Sequence, residues 1–236
     1  MPEVKRQHAN YLLQSPSGSG LALRDFDADV LKSESRWLGD VTGGRGQVGF
    51  ARVAGHVVVI RQYRRGGLIA RLSERHYLWS GLTGTRVYRE LQLLEHLTAL
   101  GLPVPVPVGG VVRRKGLCYE AALMTVKIDG AMTLAERIAA SPLAASGWSE
   151  VGALIRRFHD AGLWHADLNA NNILFDGESG LHLIDFDRGR LRPHQDRWKQ
   201  SNLARLERSL IKIASRDPGL CFSQADFRQL CRGYAA

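Results

Sequence analysis

The stretch His165-Ala-Asp-Leu-Asn-Ala-Asn-Asn-Ile-Leu-Phe175, then the polar turn Asp176-Gly-Glu-Ser-Gly180, then Leu181-His-Leu-Ile-Asp-Phe186, decides how this chain reads. Two short apolar runs, Ile173–Phe175 and Leu181–Ile184, flank a turn rich in Gly and Asp, which predicts a β-hairpin. A hairpin brings its ends together. Asn172, just before the first strand, and Asp185, just after the second, are therefore expected to share one site. Both offer hard oxygens of the kind Mg2+ takes. Asp167, in an Asp-x4-Asn spacing with Asn172, is placed to accept the proton of an attacking hydroxyl. Any one of these residues alone is an ordinary polar group at the mouth of a hairpin. Their joint identity and spacing, with His165 ahead of them, point to metal-assisted phosphoryl transfer.

Working outward, the chain of 236 residues can bury a sizeable core as one large domain or two small units. A hydrophobic content of 44% and a charged content of 23% are those of a soluble globular protein. Cys118, Cys221 and Cys231 form no C-x-x-C pair and read as free thiols. The net charge of +9 calls for an anionic partner: nucleic acid, an acidic membrane surface or a phosphorylated substrate. No apolar run approaches the ~20 residues that span a bilayer, and the first residues lack the apolar core of a secretion signal.

Before the hairpin, Leu31 to Leu38 is expected to form a short helix in which Trp37 is a packing anchor. Gly44, Gly46 and Gly49 fit G-x-G-x-x-G, and glycine lets a backbone lie against phosphates with no Cβ in the way. The motif is weak alone, but an apolar strand follows it rather than a helix, which favours a glycine-rich hairpin over a dinucleotide fold. No G-x-x-x-x-G-K-[ST] occurs. His56 to Tyr63 reads as a strand that puts Val59 and Arg61 on one face. The basic and aromatic stretch from Arg64 to Thr85 either holds an anionic substrate or membrane headgroup, or is an insertion with solvated arginines. Thr85 to Gly101 is a helix with Val87, Leu91, Leu94, Leu97 and Leu100 in one stripe and Gly101 as its cap. Glu90 lies on the border of that stripe as the expected partner of Arg61, with Glu95 as second choice. The prolines from Pro103 to Pro107 make an extended connector. Met124 to Gly130 marks a switch from strands to helices. Ser149 is expected to cap a helix running to Gly162, and His159 and His165 read as structural histidines.

Taken together, Gly44-x-Gly46-x-x-Gly49, Val59-Ile-Arg61, Glu90, His165-Ala-Asp167-x4-Asn172 and Asp185-Phe-Asp187 resemble the kinase-like fold. Closer still is the resemblance to the lipopolysaccharide kinases, those acting on 3-deoxy-D-manno-octulosonic acid (Kdo), carried by Arg61-Gln-Tyr-Arg-Arg-Gly-Gly-Leu-Ile69, the His165 segment and Ile184-Asp-Phe-Asp-Arg188. It runs from about Gly43 to about Arg192 and implies an α+β class, a two-lobed protein-kinase-like fold. Residues 1–126 would be a small β-rich N-lobe with the glycine-rich loop, sheet and Glu90 helix. Residues 127–236 would be a reduced helical C-lobe with the catalytic loop.

The resemblance also implies roles and partners. The activity would be ATP-dependent phosphorylation of the 4-hydroxyl of Kdo on a lipid A precursor, with Mg2+. The setting would be the cytoplasmic side of the bacterial inner membrane, peripherally bound, with no nucleic-acid partner. Asp167, Arg61 and Glu90 would be catalytic. Gly44, Gly46, Gly49, Met124 and Thr125 would bind the nucleotide, and Asn172 and Asp185 the metal. Arg64, Arg65, Arg71 and Arg188 would meet the acceptor. In the usual protein-kinase pattern Arg61 would be lysine, so Arg64 or Arg65 remains an alternative for its role; Ala166, Asn169 and Asp187 also depart from that pattern. Only 51 residues follow Asp185, too few for an ordinary protein kinase's substrate-binding region. The alternatives are a kinase for heptose or another small molecule and, more remotely, an atypical protein kinase.

Overall fold

The computed structural model describes residues 1–40, 48–63, 77–178, 180–193, 195–217 and 219–236. The chain forms two compact units, Met1–Ala99 with Pro105–Lys127, and Leu100–Val104 with Ile128–Ala236. Gly44, Gly46, Arg64, Arg65 and Arg71 lie outside the described residues.

The first unit is built on an antiparallel sheet. Its strands are β1 (Glu3–Gln7), β2 (Asn10–Gln14), β3 (Trp37–Asp40), β4 (Val48–Val53), β5 (His56–Gln62), β6 (Tyr77–Leu78), β7 (Pro107–Lys115) and β8 (Cys118–Val126). The order is β1-β2-β7-β8-β5-β4-β3, and β6 pairs with β8 beyond the end of β5. Alternation assigns the faces. Leu12, Val58, Ile60, Val111, Ala122 and Met124 go into one apolar cluster, which Leu31 of α1 (Ala28–Ser33) and Phe26 close. The helix α2 (Arg86–Ala99) packs on β7 and β8. There a Cβ on Gly110 would stand 2.5 Å from Val87 Cγ2.

Several expectations need correction. Residues 31–38 are not one helix: α1 ends at Ser33, Ser35 takes a φ of +55°, and Trp37 begins a strand. Trp37 is a packing residue; its ring lies so close over Gly49 that a Cβ there would sit 1.9 Å from Cη2. Val87, Leu91, Leu94 and Leu97 are buried, but Leu100 lies past the helix end and is exposed. Gly101 follows in the left-handed region, φ +67°, which glycine adopts without strain.

The second unit holds α3 (Leu134–Ala140), α4 (Ala145–Asp160), α5 (Asp196–Ala214) and α6 (Gln224–Ala235). Its strands are β9 (Met132–Thr133), β10 (Leu163–Trp164), β11 (Ile173–Phe175), β12 (Leu181–Leu183) and β13 (Arg190–Leu191). They form the sheet β12-β11-β9 and the pair β10-β13. The helix α4 starts before Ser149, so Ser149 does not cap it; its Oγ accepts from Gln229 Nε2 of α6 at 2.7 Å. Val151, Leu154, Ile155 and Phe158 are buried as the periodicity requires. Helices α4 and α6 cross at close range. A Cβ on Gly152 would stand 2.0 Å from the Leu230 carbonyl oxygen, and one on Gly233 2.0 Å from that of Ser149. The segment 100–104 belongs to this unit because Pro103 O accepts from Leu183 N at 3.0 Å and Gly101 O from Arg157 at 3.2 Å.

Candidate active site

In the second unit the expected hairpin forms, with Ile173 opposite Leu183 and Phe175 opposite Leu181. Asp176 shapes its turn: Oδ1 accepts from Glu178 N and Gly180 N, and Oδ2 pairs with His182 Nε2 at 2.9 Å. The His182 bond, then those turn amides, hold the Asp176 carboxyl below its usual range. Below the hairpin, Ile184 N donates to Asn172 O at 3.0 Å. That bond ties the residue before the first strand to the one preceding Asp185.

Asp167, Asn172 and Asp185 are linked through a few bonds. Asn172 is buried, and its Nδ2 donates to the Asp167 carbonyl at 2.8 Å. The Asn172 amide thus turns its Oδ1, a hard acceptor, to other duty, and among the described residues no protein donor reaches it. Asn169 Nδ2 reaches the same carbonyl at 3.0 Å. The Asp167 side chain is 62% exposed and lies 3.5 Å from Arg205 of α5. Asp185 takes a φ of +63°. The left-handed region costs a residue with a Cβ roughly 1–2 kcal/mol, so the surrounding packing holds it there. Arg188 repeats that conformation, φ +65°, and is exposed.

His165 is the centre of this loop. It is 2% exposed and edge-on to Phe186. Its Nε2 is 3.0 Å from the Ile184 carbonyl, and its Nδ1 is 3.2 Å from the Asp167 backbone nitrogen. A carbonyl only accepts and an amide N–H only donates, so the ring is the neutral tautomer protonated at Nε2. Burial lowers its pKa below the ordinary 6.5; the carboxylates of Asp185 and Asp167 pull the other way and are outweighed. Asn202 clamps the same residue twice: His165 N donates to Oδ1 at 3.1 Å and Nδ2 donates to His165 O at 2.9 Å. Ser209 Oγ accepts from Ala170 N at 3.3 Å. Neither Asn202 nor Arg205 stood out in the sequence. Asn202 had a signal: it occupies the buried stripe Trp198, Asn202, Leu206, Leu210 as its one polar member.

In the first unit, Glu90 is buried, and its carboxylate receives both Arg61 Nη2 and the Tyr63 hydroxyl. The second choice, Glu95, instead accepts from Ser15 Oγ at 2.8 Å and meets the N-terminal ammonium at 3.3 Å. Arg61 lies 5.2 Å from the Tyr63 ring centroid and keeps 27% of its side chain exposed. Gly49 pairs with Ile60 and Asp40 in mid-sheet. Met124 lines no open surface, because its strand position turns it into the core; its side chain is fully buried. Thr125 beside it pairs with Val59 and Pro107.

Among the described residues, no group of three or more His, Cys, Asp or Glu side chains is arranged to hold a metal. An Asn with one Asp is the sparser donor set that suits Mg2+, which keeps much of its water and takes one or two protein oxygens.

A neutral buried histidine holding the Asp167 backbone, with Asn172 before the hairpin and Asp185 after it, is the arrangement a kinase-class phosphotransferase uses. The chain matches the model of the lipopolysaccharide kinase (Kdo/WaaP) family over residues 28–234 and belongs to that family. It is similar to the 3-deoxy-D-manno-octulosonic acid kinase of Stenotrophomonas maltophilia (strain R551-3), 43% identical over 217 residues, 90% of this chain and 86% of the relative. The similarity to the protein of that name from Xanthomonas campestris pv. campestris (strain B100) is 46% over 196 residues, 81% and 78% of the two chains. For that of Xylella fastidiosa (strain M23) it is 43% over 192 residues, 81% and 76%. The chain is therefore a kinase, and its family implies ATP as the phosphoryl donor.

Proposed function

We propose that this kinase transfers the γ-phosphoryl group of ATP to the 4-hydroxyl of Kdo on a lipid A precursor. What carries the substrate is the set of relatives named for Kdo, at 43–46% identity over most of the chain. What carries the chemistry is the geometry around His165. Asp167 orients the acceptor hydroxyl and takes its proton, and the His165 ring fixes the backbone from which it projects. Asn172 through Oδ1 and Asp185 through its carboxylate hold Mg2+. When bound, that ion supplies positive charge against the phosphoryl oxygens. In the first unit Arg61, fixed by Glu90, offers a guanidinium to the phosphates. We read the two units as the small β-rich and the reduced helical lobe of a kinase-like fold. Such catalysis is positioning and electrostatics, so each role has a definite expected loss.

A peripheral seat on the inner membrane fits the surface of the first unit. Among the described residues, no helix is long and apolar enough to cross a membrane. Leu78 and Leu117 are 72% and 82% exposed on adjoining backbone, where Leu78 pairs with Cys118 and Trp79 N donates to Leu117 O at 2.8 Å. Next to them Trp79 stacks on Tyr11, Arg114 lies 5.1 Å from the Trp79 centroid and Arg6 5.6 Å from that of Tyr11. Exposed apolar tips ringed by aromatics and arginines suit an anionic headgroup layer.

The experiment is transfer of labelled phosphate from ATP to Kdo-lipid A and to heptosylated acceptors, with the product phosphate located by NMR. Phosphate on the Kdo 4-hydroxyl is the expected result. Label on heptose alone, or on protein, would replace the acceptor assignment and leave the kinase class standing.

A further inference from the structure

The strand pair β10-β13 carries a cleft that the proposed chemistry leaves unused. Its volume is about 330 Å³, the size of a small-ligand site. Trp164 and Trp198 supply its apolar wall, Arg192 and Arg197 its charge, and no acidic side chain lines it among the described residues. The Trp198 Nε1–H is committed to the Pro193 carbonyl at 2.8 Å, which fixes that indole. The Arg192 guanidinium carbon stands 4.0 Å from the Trp164 centroid. That contact sets the position of the cation without consuming its N–H donors. Among the described residues, the side chains of Arg192, Arg197, Gln195 and Ser201 make no hydrogen bond or ion pair. The cleft thus presents unfilled donors beside one indole fixed by a hydrogen bond and a second that stacks on Arg192.

That combination matches one ligand chemistry. A carboxylate takes the guanidinium fork, ring hydroxyls meet Gln195 and Ser201, and the apolar edge of a sugar lies against the tryptophan wall. The position is also suitable. Trp164 ends β10 three residues before Asp167, so their Cα atoms are at most about 11 Å apart. On the other strand, Arg190 follows Asp185 by only five positions.

We infer that this cleft holds the carboxylated sugar of the acceptor and presents its hydroxyl to Asp167, with Arg192 and Arg197 as specificity-determining residues. The inference rests on the kinase reading above. It deepens that reading by adding two acceptor arginines to Arg64, Arg65, Arg71 and Arg188, which the family resemblance implies.

The test uses the full chain, its Arg192→Ala and Arg197→Ala variants, and free Kdo as probe, with glucose and inorganic phosphate as controls. Tryptophan emission should respond saturably to Kdo and to neither control, and each variant should weaken that response. In the transfer assay each variant should raise the acceptor KM about tenfold, the scale of one lost charge-assisted contact, with the ATP KM unchanged. Arg197 is exposed and its side chain makes no hydrogen bond or ion pair among the described residues, so its variant folds and stays readable even if Arg192→Ala does not. An acceptor KM indifferent to both arginines overturns the proposal, as does an equal response to phosphate and Kdo. If the wild-type chain binds free Kdo through these arginines yet phosphorylates no Kdo acceptor, the cleft stands and the functional reading fails. Transfer to Kdo with neither dependence shows the reverse.

Discussion

His165 Nδ1 accepts the backbone N–H of Asp167 at 3.2 Å. The exposed carboxylate expected to meet the acceptor is thereby anchored to a buried ring whose other nitrogen is held by Ile184 O. Replacing His165 by Ala leaves the Asp167 amide and the Ile184 carbonyl without that partner and opens a cavity. The variant should lose about 3 kcal/mol of stability, measured by urea unfolding, and its kcat should fall further than its ATP affinity. A variant as stable and as active as the wild type would show that the ring does not hold the loop.

Asp167 and Asp185 are given different duties, so their isosteric variants should fail differently. Asp167→Asn keeps the shape and the Asn172 bond to its carbonyl, but cannot take a proton. Its kcat should fall by about 10²–10⁴, the usual worth of a positioned general base, while ATP binding measured by calorimetry stays near the wild-type value. Asp185→Asn should instead weaken binding of ATP with Mg2+ and leave binding of ATP in EDTA unchanged. Equal loss of nucleotide binding in both variants would count against the division of labour.

Arg61 and Glu90 form a pair of unequal burial: Glu90 is 2% exposed at its side chain and Arg61 27%. Removing the arginine takes one cation away from a buried carboxylate that the Tyr63 hydroxyl also meets. Arg61→Met should therefore cost about 2–3 kcal/mol, at or below the low end for a broken buried pair because the cation is partly solvated. The double variant Arg61→Met with Glu90→Leu should recover part of that stability. Its ATP KM should stay high, which separates the structural from the phosphate-binding role.

The parts of the site that were legible in the sequence are local or periodic. The hairpin follows from two apolar runs and a turn, so Asn172 and Asp185 could be placed together. For the Arg61–Glu90 pair, a period of two sets Arg61 beside Val59 and a period of 3.6 sets Glu90 at the border of the buried stripe, while the pairing itself is what the kinase-like resemblance implies. What stayed hidden depends on tertiary partners. Strand β1 is exposed along its whole length and shows no alternation, because none of its side chains enters the core and its backbone pairs with β2. Ser149 has the chemistry of a cap yet sits inside α4, where α6 supplies its partner. Arg205 looks like any solvated arginine of α5 until the fold brings Asp167 to within 3.5 Å.

Acid should destabilise the protein through His159. Its Nδ1 is 2.9 Å from the Tyr234 hydroxyl, and burial lowers its pKa from 6.5 to about 4. The folded state therefore binds this proton less readily than the unfolded chain. Stability is fully present above about pH 6.5 and is lost as pH falls toward 4, by up to about 3 kcal/mol at 1.36 kcal/mol per pH unit. His165, shifted the same way, adds to the loss. The melting temperature should drop steeply over that window, and His159→Asn should flatten the drop. An unchanged slope in the variant would assign the acid sensitivity to other groups.

Leu78 and Leu117 should matter only where there is a membrane. Both side chains are mostly in water, so exchanging them for serine leaves the core intact and should hardly move the melting temperature. Burying a leucine in an apolar phase is worth about 2 kcal/mol, so the double variant Leu78→Ser with Leu117→Ser should bind vesicles at least about tenfold more weakly. Vesicles containing 30% phosphatidylglycerol should recover the wild-type protein by flotation, and phosphatidylcholine vesicles should recover much less. Arg114→Glu should reduce recovery further and make it less dependent on salt, since screening acts on the arginine contribution and not on the leucines. Recovery of the leucine variant at the wild-type level would place the membrane contact on another surface, because the two exposed tips would then have no apolar phase to enter.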